Sequence, residues 1–388
     1  SNDTNELKSK YEEAVKAYEK ENSGVKIKTE TLDTEAYKTK INAEFAGDAK
    51  GIDVFYWWGA GTAKKLVDAG KVMALDDYVT DDVKSKILEG STSAFEFDGK
   101  LYSVPMFSWY MTLFCNKTMF DKAGATLPTT YDELVDAVKK LKKLDGVTPM
   151  AAGAKDGWNA AFVYQALALR EVGATGVNEM LSGKKEFGDE GFKKAAQKVS
   201  DLYEMGAFGD NPLEQGNDDA NAAFENGKAA MRLMGSWFAN NVYTDDAATI
   251  KPEEVVALKI PTIADGKGEA TDYCGGFVES FWVNNNTKYK EEAAKFCIYI
   301  NEKMGVASYE TGSGFSGWTT PADESNLNPL FIQIKDLLAE GKQGVLAWDT
   351  SLESEPAAVH NEQVQTLFAD GADIDAFIDE HKAAINGK

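Results

Sequence analysis

Apolar and polar residues repeat along the chain with two periods, one typical of helices and the other of strands. The first helical pattern covers residues 8–22, and the strict alternation of VKIKTETL (residues 25–32) predicts a strand after it. A helix over residues 36–48, the strand GIDVFYW (51–57) and a helix over 61–71 follow. This succession of strands and helices predicts a largely parallel sheet covered by helices.

The same succession continues to the end of the chain. In TTYDELV, the spacing predicts a helix capped by Thr129 or Thr130, with Glu133 completing a capping box. No Pro- or Ser-rich linker appears, and 388 residues exceed one ordinary core, so we expect two domains joined by several chain crossings. The other predicted elements are a strand at 147–153, helices at 158–173 and 191–206, a helix and a strand within 217–237, a strand at 277–284, and helices at 328–342, 354–371 and 373–387.

Charge and composition exclude several classes of function. The formal net charge of −22 repels phosphate backbones, which argues against nucleic-acid binding. No run of about 18 apolar residues predicts a membrane span. The polar start of the chain shows no export signal, so we expect one to have been removed or never present. With only His360 and His381, the chain predicts neither a histidine-rich metal site nor a histidine-based catalytic pair, and we expect no cofactor. We expect both histidines to be surface residues of helices.

The tryptophans suggest a binding surface. Seven of the eight fall near predicted strand ends, helix starts or loops, whereas Trp282 lies within a predicted strand and is expected in a core. Trp57 and Trp58 are adjacent where a strand ends, and alternation along a strand cannot easily bury both, so at least one should be exposed. The seven are Trp57, Trp58, Trp109, Trp158, Trp237, Trp318 and Trp348.

Polar residues beside these tryptophans suggest the kind of ligand. A pyranose has an apolar face that can stack on an indole and a rim of hydroxyls that amides and carboxylates can bind. The sequence therefore predicts a sugar site, and the number of indoles favours an oligosaccharide over a monosaccharide. The neighbouring hydrogen-bonding residues are Asn159, Ser236, Asn240, Asn241, Ser316, Asp349 and Ser351.

Five segments, in this order, resemble the extracellular solute-binding proteins of carbohydrate ABC transporters, the group that includes maltose-binding protein. Each segment alone is a weak signal, but the ordered set covers much of the chain. They are AYEKENSGVKIKTETL (17–32), GIDVFYWW (51–58), DGKLYSVPMFSWYMTLFCNKTMFDKAG (98–124), PTTYDELVDAVKKL (128–141) and AAFENGKAAMRLMGSW (222–237).

The resemblance implies an α/β, two-lobed periplasmic-binding-protein fold (type II-like), each lobe a mostly parallel sheet flanked by helices, joined by hinge crossings. It implies a first lobe of residues 1–110 and 276–308 and a second lobe of 111–275 and 309–388. Such a protein is not an enzyme: it closes around a carbohydrate ligand and delivers it to ABC transporter permease subunits. We expect a monomer outside the cytoplasm, as a Gram-positive cell-surface lipoprotein or in a periplasm, touching the membrane only through a possible lipid anchor.

Position by position, the resemblance and the polar neighbours give an expected ligand-binding set with no catalytic residue. The crossings near residues 109–115 and 272–280 would act as hinges. Cys115 and Cys274 lie on or near them, and we expect buried thiols there, with a disulfide as the alternative; helical spacing predicts that Cys297 is buried. The expected set is Trp57, Trp58, Trp109, Trp158, Asn159, Trp237, Gly276, Glu279, Trp318, Trp348 and Asp349.

Two departures from the family pattern and two other functions stay open. The family has a strand before its first helix, so either the start is trimmed or the sheet is completed differently. Phe107 stands where many members have a polar residue, which weakens any specific sugar assignment. A glycoside hydrolase would use a carboxylate pair, with Glu279, Asp349 and Glu353 as candidates. A relative that binds a polyamine, thiamine or a metal ion would use acidic groups and aromatic rings around a cation.

Overall fold

A computed structural model of the chain describes residues 5–244 and 248–387, within which fifteen α-helices and ten β-strands form. The helices are α1 (Asn5–Glu21), α2 (Thr34–Ala46), α3 (Ala60–Asp68), α4 (Asp81–Lys86), α5 (Lys117–Ala123), α6 (Tyr131–Leu141), α7 (Gly157–Leu181), α8 (Glu190–Glu204), α9 (Asn217–Glu225), α10 (Phe238–Thr244), α11 (Lys290–Glu310), α12 (Pro329–Ala339), α13 (Trp348–Ser351), α14 (Ser354–Thr366) and α15 (Ile374–Asn386). The strands are β1 (Val54–Trp58), β2 (Glu96–Phe97), β3 (Lys100–Leu101), β4 (Phe107–Asn116), β5 (Thr148–Ala151), β6 (Ala229–Gly235), β7 (Val255–Leu258), β8 (Asp272–Val283), β9 (Phe315–Ser316) and β10 (Gln343–Val345).

The chain forms two compact units. Unit 1 contains the residues up to Trp109 together with Phe277–Leu327, and unit 2 contains Tyr110–Gly276 and the residues from Asn328 onward. The chain passes between the units within β4, within β8 and after Leu327. Residues 309–327, which sequence analysis assigned to the second lobe, belong to unit 1, because β9 pairs with the first residues of β4 there.

Unit 1 is built around an antiparallel pair. β1 pairs with the second half of β8 in a register that runs from Val54↔Val283 to Trp58↔Glu279. Trp282 is buried on this pair beside Phe55, and its Nε1 donates a hydrogen bond to the Trp57 carbonyl at 3.1 Å. The prediction that Trp282 is a core residue is therefore confirmed.

Unit 2 places β6 between two partners. β6 is antiparallel to β4 and parallel to β5, and β7 pairs with the same part of β4. α7 packs against α8 and α14, and its backbone breaks at Gly173, whose φ of +81° favours glycine. A Cβ on Gly173 would also lie 3.1 Å from the Lys267 carbonyl oxygen, so this break allows a close approach of two backbone segments.

The pairing corrects the expectation of mostly parallel sheets. Of the strand pairs with a defined register, β5–β6 and β8–β10 are parallel. The pairs β1–β8, β2–β3, β4–β6, β4–β7 and β4–β9 are antiparallel. The long strands β4 and β8 each have residues in both units. Strand β4 runs antiparallel to β6, β7 and β9, and strand β8 runs antiparallel to β1. The chain therefore has a mixed α/β fold, with both parallel and antiparallel strand pairs.

One local sequence signal predicted its element correctly, and another did not. The capping box is confirmed: the Thr130 side chain accepts from the Glu133 backbone, and Glu133 reaches back to the Thr130 backbone N–H. The strand predicted at 25–32 is wrong, since no strand is present there. The Ile27 N–H donates instead to the Glu19 carboxylate at 2.7 Å, so α1 satisfies a backbone group that a neighbouring strand would otherwise bind. No helix within the described ranges combines the length and apolar character that crossing a bilayer requires.

Candidate functional site

The adjacent tryptophans at the end of β1 differ in burial. Trp57 is 5% exposed and packs in the unit 1 core with Phe55 and Trp282. Trp58 is only partly buried, and it lies directly opposite Glu279 on β8. Because directly opposed residues of an antiparallel pair share a face, Trp58 and Glu279 lie side by side. The Trp58 indole also meets the Trp57 indole edge-on, with ring centroids 5.6 Å apart. The expectation of one more exposed indole fits Trp58.

Neighbouring side chains fix the orientation of the Trp58 indole. The Tyr56 ring packs edge-on against it, with centroids 5.2 Å apart and an interplanar angle of 79°. The Lys38 ammonium lies 5.2 Å from the centroid, over the ring. This cation–π contact occupies one face of the indole, so a stacked ligand would have to use the other.

Glu279 is a buried carboxyl group with spare hydrogen-bonding capacity. Glu279 is only 6% exposed. Burial raises the pKa of its carboxyl group, while hydrogen bonds from the Tyr56 and Trp58 side chains lower it. Its Oε2 atom has no hydrogen-bond partner in the described part of the chain. A buried acceptor without a partner costs free energy, and a ligand hydroxyl donating to it would remove that cost.

Unit 2 carries a second aromatic cluster. Trp158, in the first turn of α7, and Trp237, just after β6, are both partly buried. Phe162 lies between them, with ring centroids 5.3 Å from Trp158 and 6.4 Å from Trp237. Sequence analysis chose both tryptophans and missed Phe162, although its position four residues after Trp158 on a helix predicts contact. The structure thus joins two predicted site residues through an unpredicted one.

Asn159 has a structural role that its sequence position did not reveal. It is 1% exposed; its Oδ1 accepts from Arg232 Nη1 at 2.9 Å, and its Nδ2 donates to Asn217 Oδ1 at 2.8 Å. Arg232 also donates to the carbonyls of Ala151 and Ala152 at 3.2 and 3.3 Å. Because its oxygen binds the buried Arg232 guanidinium and its amide nitrogen binds Asn217, Asn159 does not belong to the ligand set.

Trp348 is a core residue of unit 2. It is 1% exposed, stacks on His360 with centroids 5.0 Å apart, and meets Tyr164 and Phe192 edge-on at 5.5 and 5.6 Å. An indole enclosed by the side chains of its own unit cannot also stack on a sugar. The stacking role expected from its position therefore does not fit the structure.

Trp318 is likewise fixed inside unit 1. It is buried with Leu75 and Val104, and its Nε1 donates to the Pro105 carbonyl at 2.7 Å. This indole links the residues after α11 to the segment before β4, so we assign it to packing rather than to ligand contact.

Three expected ligand residues remain, Trp109, Gly276 and Asp349, and the first two lie where the chain crosses between the units. Trp109 is buried and is the last residue of unit 1 on β4, and Gly276 is the last residue of unit 2 on β8. Gly276 has a φ of +149°, a backbone conformation that favours glycine, and a Cβ there would lie 2.6 Å from the end of the Leu346 side chain. Asp349, on α13 beside Trp348, is partly buried.

Both histidines form one directed hydrogen-bond chain in the unit 2 core. His381 Nδ1 lies 2.8 Å from the Phe377 carbonyl and must donate to it, so neutral His381 accepts at Nε2 from His360 Nδ1 at 2.9 Å. His360 Nε2 then accepts from Gln165 Nε2 at 3.0 Å. Burial lowers the pKa of His360 well below 6.5 and that of His381 to about 4, so both rings are neutral at pH 7. The sequence-based expectation of surface histidines is wrong.

Acid should therefore destabilise unit 2. The unfolded chain binds protons at these imidazoles below pH 6.5, whereas the folded chain resists protonation until the pH approaches about 4. We expect the free energy of unfolding to fall as the pH drops through this window. Urea unfolding at pH 7.0, 6.0 and 5.5 measures this free energy. The double variant His360→Gln/His381→Gln should show a weaker dependence of the free energy of unfolding on pH. The same pH dependence in the variant and the wild type would contradict the assignment of two neutral, buried histidines.

All three cysteines are free and buried. Burial raises the pKa of the Cys274 thiol to about 12 and raises that of Cys115 further. The expectation of buried thiols is confirmed, and Cys297 lies inside α11 as its spacing predicted. Across the described ranges, no group of three His, Cys, Asp or Glu side chains could hold a metal ion.

A two-unit α/β fold with chain crossings and aromatic clusters is typical of solute-binding proteins. A family model described as bacterial extracellular solute-binding protein matches residues 1–306, and the chain belongs to this family. This family consists of ABC-transporter binding proteins rather than enzymes, and membership implies a location outside the cytoplasm.

Similar proteins agree with this membership. A solved chain from work on xylan utilization by the thermophilic bacterium Caldanaerobius polysaccharolyticus is 36% identical, with a TM-score of 0.92 over 97% of this chain and 95% of that one. A solved chitin oligosaccharide binding protein shares the fold at 21% identity, with a TM-score of 0.87 over 98% and 94%. The multiple sugar-binding protein of Streptococcus mutans is 24% identical over 79% of this chain and 71% of its own length.

Proposed function

We propose that this protein binds an oligosaccharide by stacking and hydrogen bonding, that its two units close around the sugar, and that it delivers the sugar to an ABC permease. The proposal rests on Glu279 Oε2, which has no hydrogen-bond partner among the described residues and lies on the same strand face as Trp58. The names of the relatives, which concern xylan utilization, chitin oligosaccharides and multiple sugars, support carbohydrate as the ligand class.

The proposed contacts are fewer than the sequence suggested. Trp58 and Glu279 act from unit 1, and Trp158 and Trp237 act from unit 2. Trp109, Gly276 and Asp349 stay in the proposal as neighbours at or near the chain crossings. Trp57, Asn159, Trp318 and Trp348 hold the surrounding structure instead.

The energies of these contacts suffice for useful affinity. Stacking on an aromatic ring contributes about 0.5–1.5 kcal/mol by analogy with aromatic pairs. A hydrogen bond to a charged group contributes about 1.5–3 kcal/mol. Three stacked rings and a few such bonds would leave about −8 kcal/mol after association costs, which is micromolar binding.

A thermal-shift screen tests the ligand class. Xylo-, malto- and chitin oligosaccharides, raffinose, spermidine and thiamine are added separately, with each sugar sample analysed afterwards for released monosaccharide. A ligand at 100 times its Kd stabilises by about 2.7 kcal/mol. We expect a shift with an oligosaccharide and no released product; product would indicate hydrolysis, and shifts only with amines would indicate a cation-binding relative.

Trp237→Ala should weaken sugar binding about twofold to tenfold with little change in melting temperature, since it removes one stacking surface from a partly exposed position. Isothermal titration calorimetry measures the affinity. Tyr289→Ala is the matched control, because Tyr289 is an aromatic residue that is 61% exposed in unit 1 and outside both clusters. Equal affinity in both variants would count against stacking on Trp237.

The proposal also includes the cellular setting. We propose that the protein acts as a monomer, either as a cell-surface lipoprotein or in a periplasm. Sedimentation at micromolar concentration, with and without the sugar, tests the monomer: a single species near 42.3 kDa is expected.

A further inference from the structure

The ring of Trp237 occupies the space beside a glycine two residues earlier. A Cβ built on Gly235 would lie 2.0, 2.3 and 2.4 Å from Cζ3, Cη2 and Cε3 of the Trp237 indole. Packed atoms do not approach so closely, so any side chain at position 235 would have to displace the six-membered ring.

The backbone of Gly235 gives no other reason for glycine. Gly235 ends β6 in register with Met111 of β4, and its φ lies outside the left-handed region that other side chains avoid. Glycine inside a strand weakens it relative to other residues, and close approach of another group is a common reason for its presence. Here the group that approaches is the indole.

Other glycines of unit 2 show a different kind of contact. A Cβ on Gly266 would lie 2.2 Å from the Arg170 carbonyl oxygen, and one on Gly268 would lie 2.2 Å from that of Leu169. Those contacts are with backbone, so a substitution there would disturb the fold. At Gly235 the three nearest atoms all belong to one partly buried side chain, which can move.

Two further contacts anchor this segment of unit 2. Phe162 packs against Trp237 with a centroid distance of 6.4 Å and an angle of 59°. The intervening Ser236 accepts a hydrogen bond at Oγ from the Tyr110 N–H at 3.2 Å, which ties the backbone between glycine and tryptophan to β4. The backbone next to Trp237 is thus anchored to β4, and the indole contacts Phe162 while occupying the space beside Gly235.

We propose that Gly235 is a positioning residue for sugar recognition: by lacking a side chain, it sets where the Trp237 indole lies in the unit 2 cluster. The effect on sugar binding rests on the function proposed above. The position of the ring does not, because it follows from packing within unit 2 alone.

Fluorine NMR of 5-fluorotryptophan-labelled protein without ligand tests the ring position. Trp237→Ala identifies the Trp237 signal by its loss. Gly235→Ala should shift that signal, whereas the control Gly47→Ala should not, since a Cβ on Gly47 meets only the Glu44 carbonyl oxygen at 3.6 Å. A Trp237 signal unmoved by Gly235→Ala overturns the proposal.

Calorimetric titration with xylotetraose tests the consequence. Gly235→Ala should weaken binding about as much as Trp237→Ala, and the double variant should bind no more weakly than Trp237→Ala. Additive losses would overturn the assignment, because Gly235 would then act through another group. If the wild type does not bind xylotetraose, the function proposal fails for this sugar, and the NMR result still decides the position of the ring.

A loss of stability in Gly235→Ala is also informative. If the alanine clashes with the indole, Gly235→Ala/Trp237→Ala should recover the melting temperature of Trp237→Ala. Failure to recover it would place the clash elsewhere and contradict the proposal.

Discussion

Glu279→Gln should weaken sugar binding at least about tenfold and raise the melting temperature at neutral pH. The ligand hydroxyl is proposed to donate to Oε2, where the amide would present a donor, so a hydrogen bond to a charged group of about 1.5–3 kcal/mol is lost. Stability should rise because burial raises the pKa of Glu279, which makes its ionised form costly in the folded chain. Calorimetry and thermal unfolding measure the two effects.

The sign of the pH dependence separates Glu279 from an ordinary paired carboxylate. Because the pKa of Glu279 is raised in the folded chain, the protonated carboxyl stabilises the fold at low pH, and this stabilisation is lost as the pH rises through the folded pKa. The amide of Glu279→Gln does not ionise, so the variant does not lose stability in this way. The gain from Glu279→Gln should therefore be larger at pH 7 than at pH 4. Glu353→Gln, which changes an exposed glutamate, is the control. Wild-type affinity in Glu279→Gln would remove the carboxylate from the proposed site.

Trp348→Ala should lower the free energy of unfolding by about 3–5 kcal/mol, because it empties an enclosed position between His360, Tyr164 and Phe192. Most single domains are stable by only about 5–15 kcal/mol, so this is a large share of the total. Urea unfolding followed by circular dichroism measures the change.

Trp58→Ala provides the comparison for Trp348→Ala. Its indole is only partly buried, so we expect a smaller loss of stability and a clear loss of sugar affinity. If Trp348→Ala instead kept its stability and lost sugar affinity, the original assignment from sequence position would be right and the core assignment wrong.

The sequence predicted the helices well, because their signals are local. The capping box at Thr130 and the helix around Cys297 could be read from spacing alone. The segment 25–32 failed because alternation shows only that a strand is possible, whereas a strand also needs a partner, and here Glu19 binds the Ile27 N–H instead.

The role of a tryptophan outside a strand depended on residues distant in the sequence. Strand alternation correctly separated Trp57 from Trp58, since that is a local property. The burial of Trp348 depends on side chains from α7, α8 and α14, and nothing near residue 348 specifies them. Proximity to the end of an element therefore identified candidates but could not distinguish a core indole from a binding indole.

The neighbours of the polar residues Asn159 and Glu279 could not be predicted from the sequence for the same reason. Asn159 looked like a ligand residue beside Trp158, and only the structure shows that Arg232 uses its oxygen. Conversely, the register that places Glu279 opposite Trp58 cannot be derived from either segment alone.

Isothermal titration calorimetry of the wild-type protein with xylo-, malto- and chitin oligosaccharides, followed by chromatography of the sugar, is the most direct test. The account predicts saturable binding of at least one oligosaccharide at about micromolar Kd, with the sugar recovered intact. Absence of binding across the panel, or recovery of shortened sugars, would contradict it.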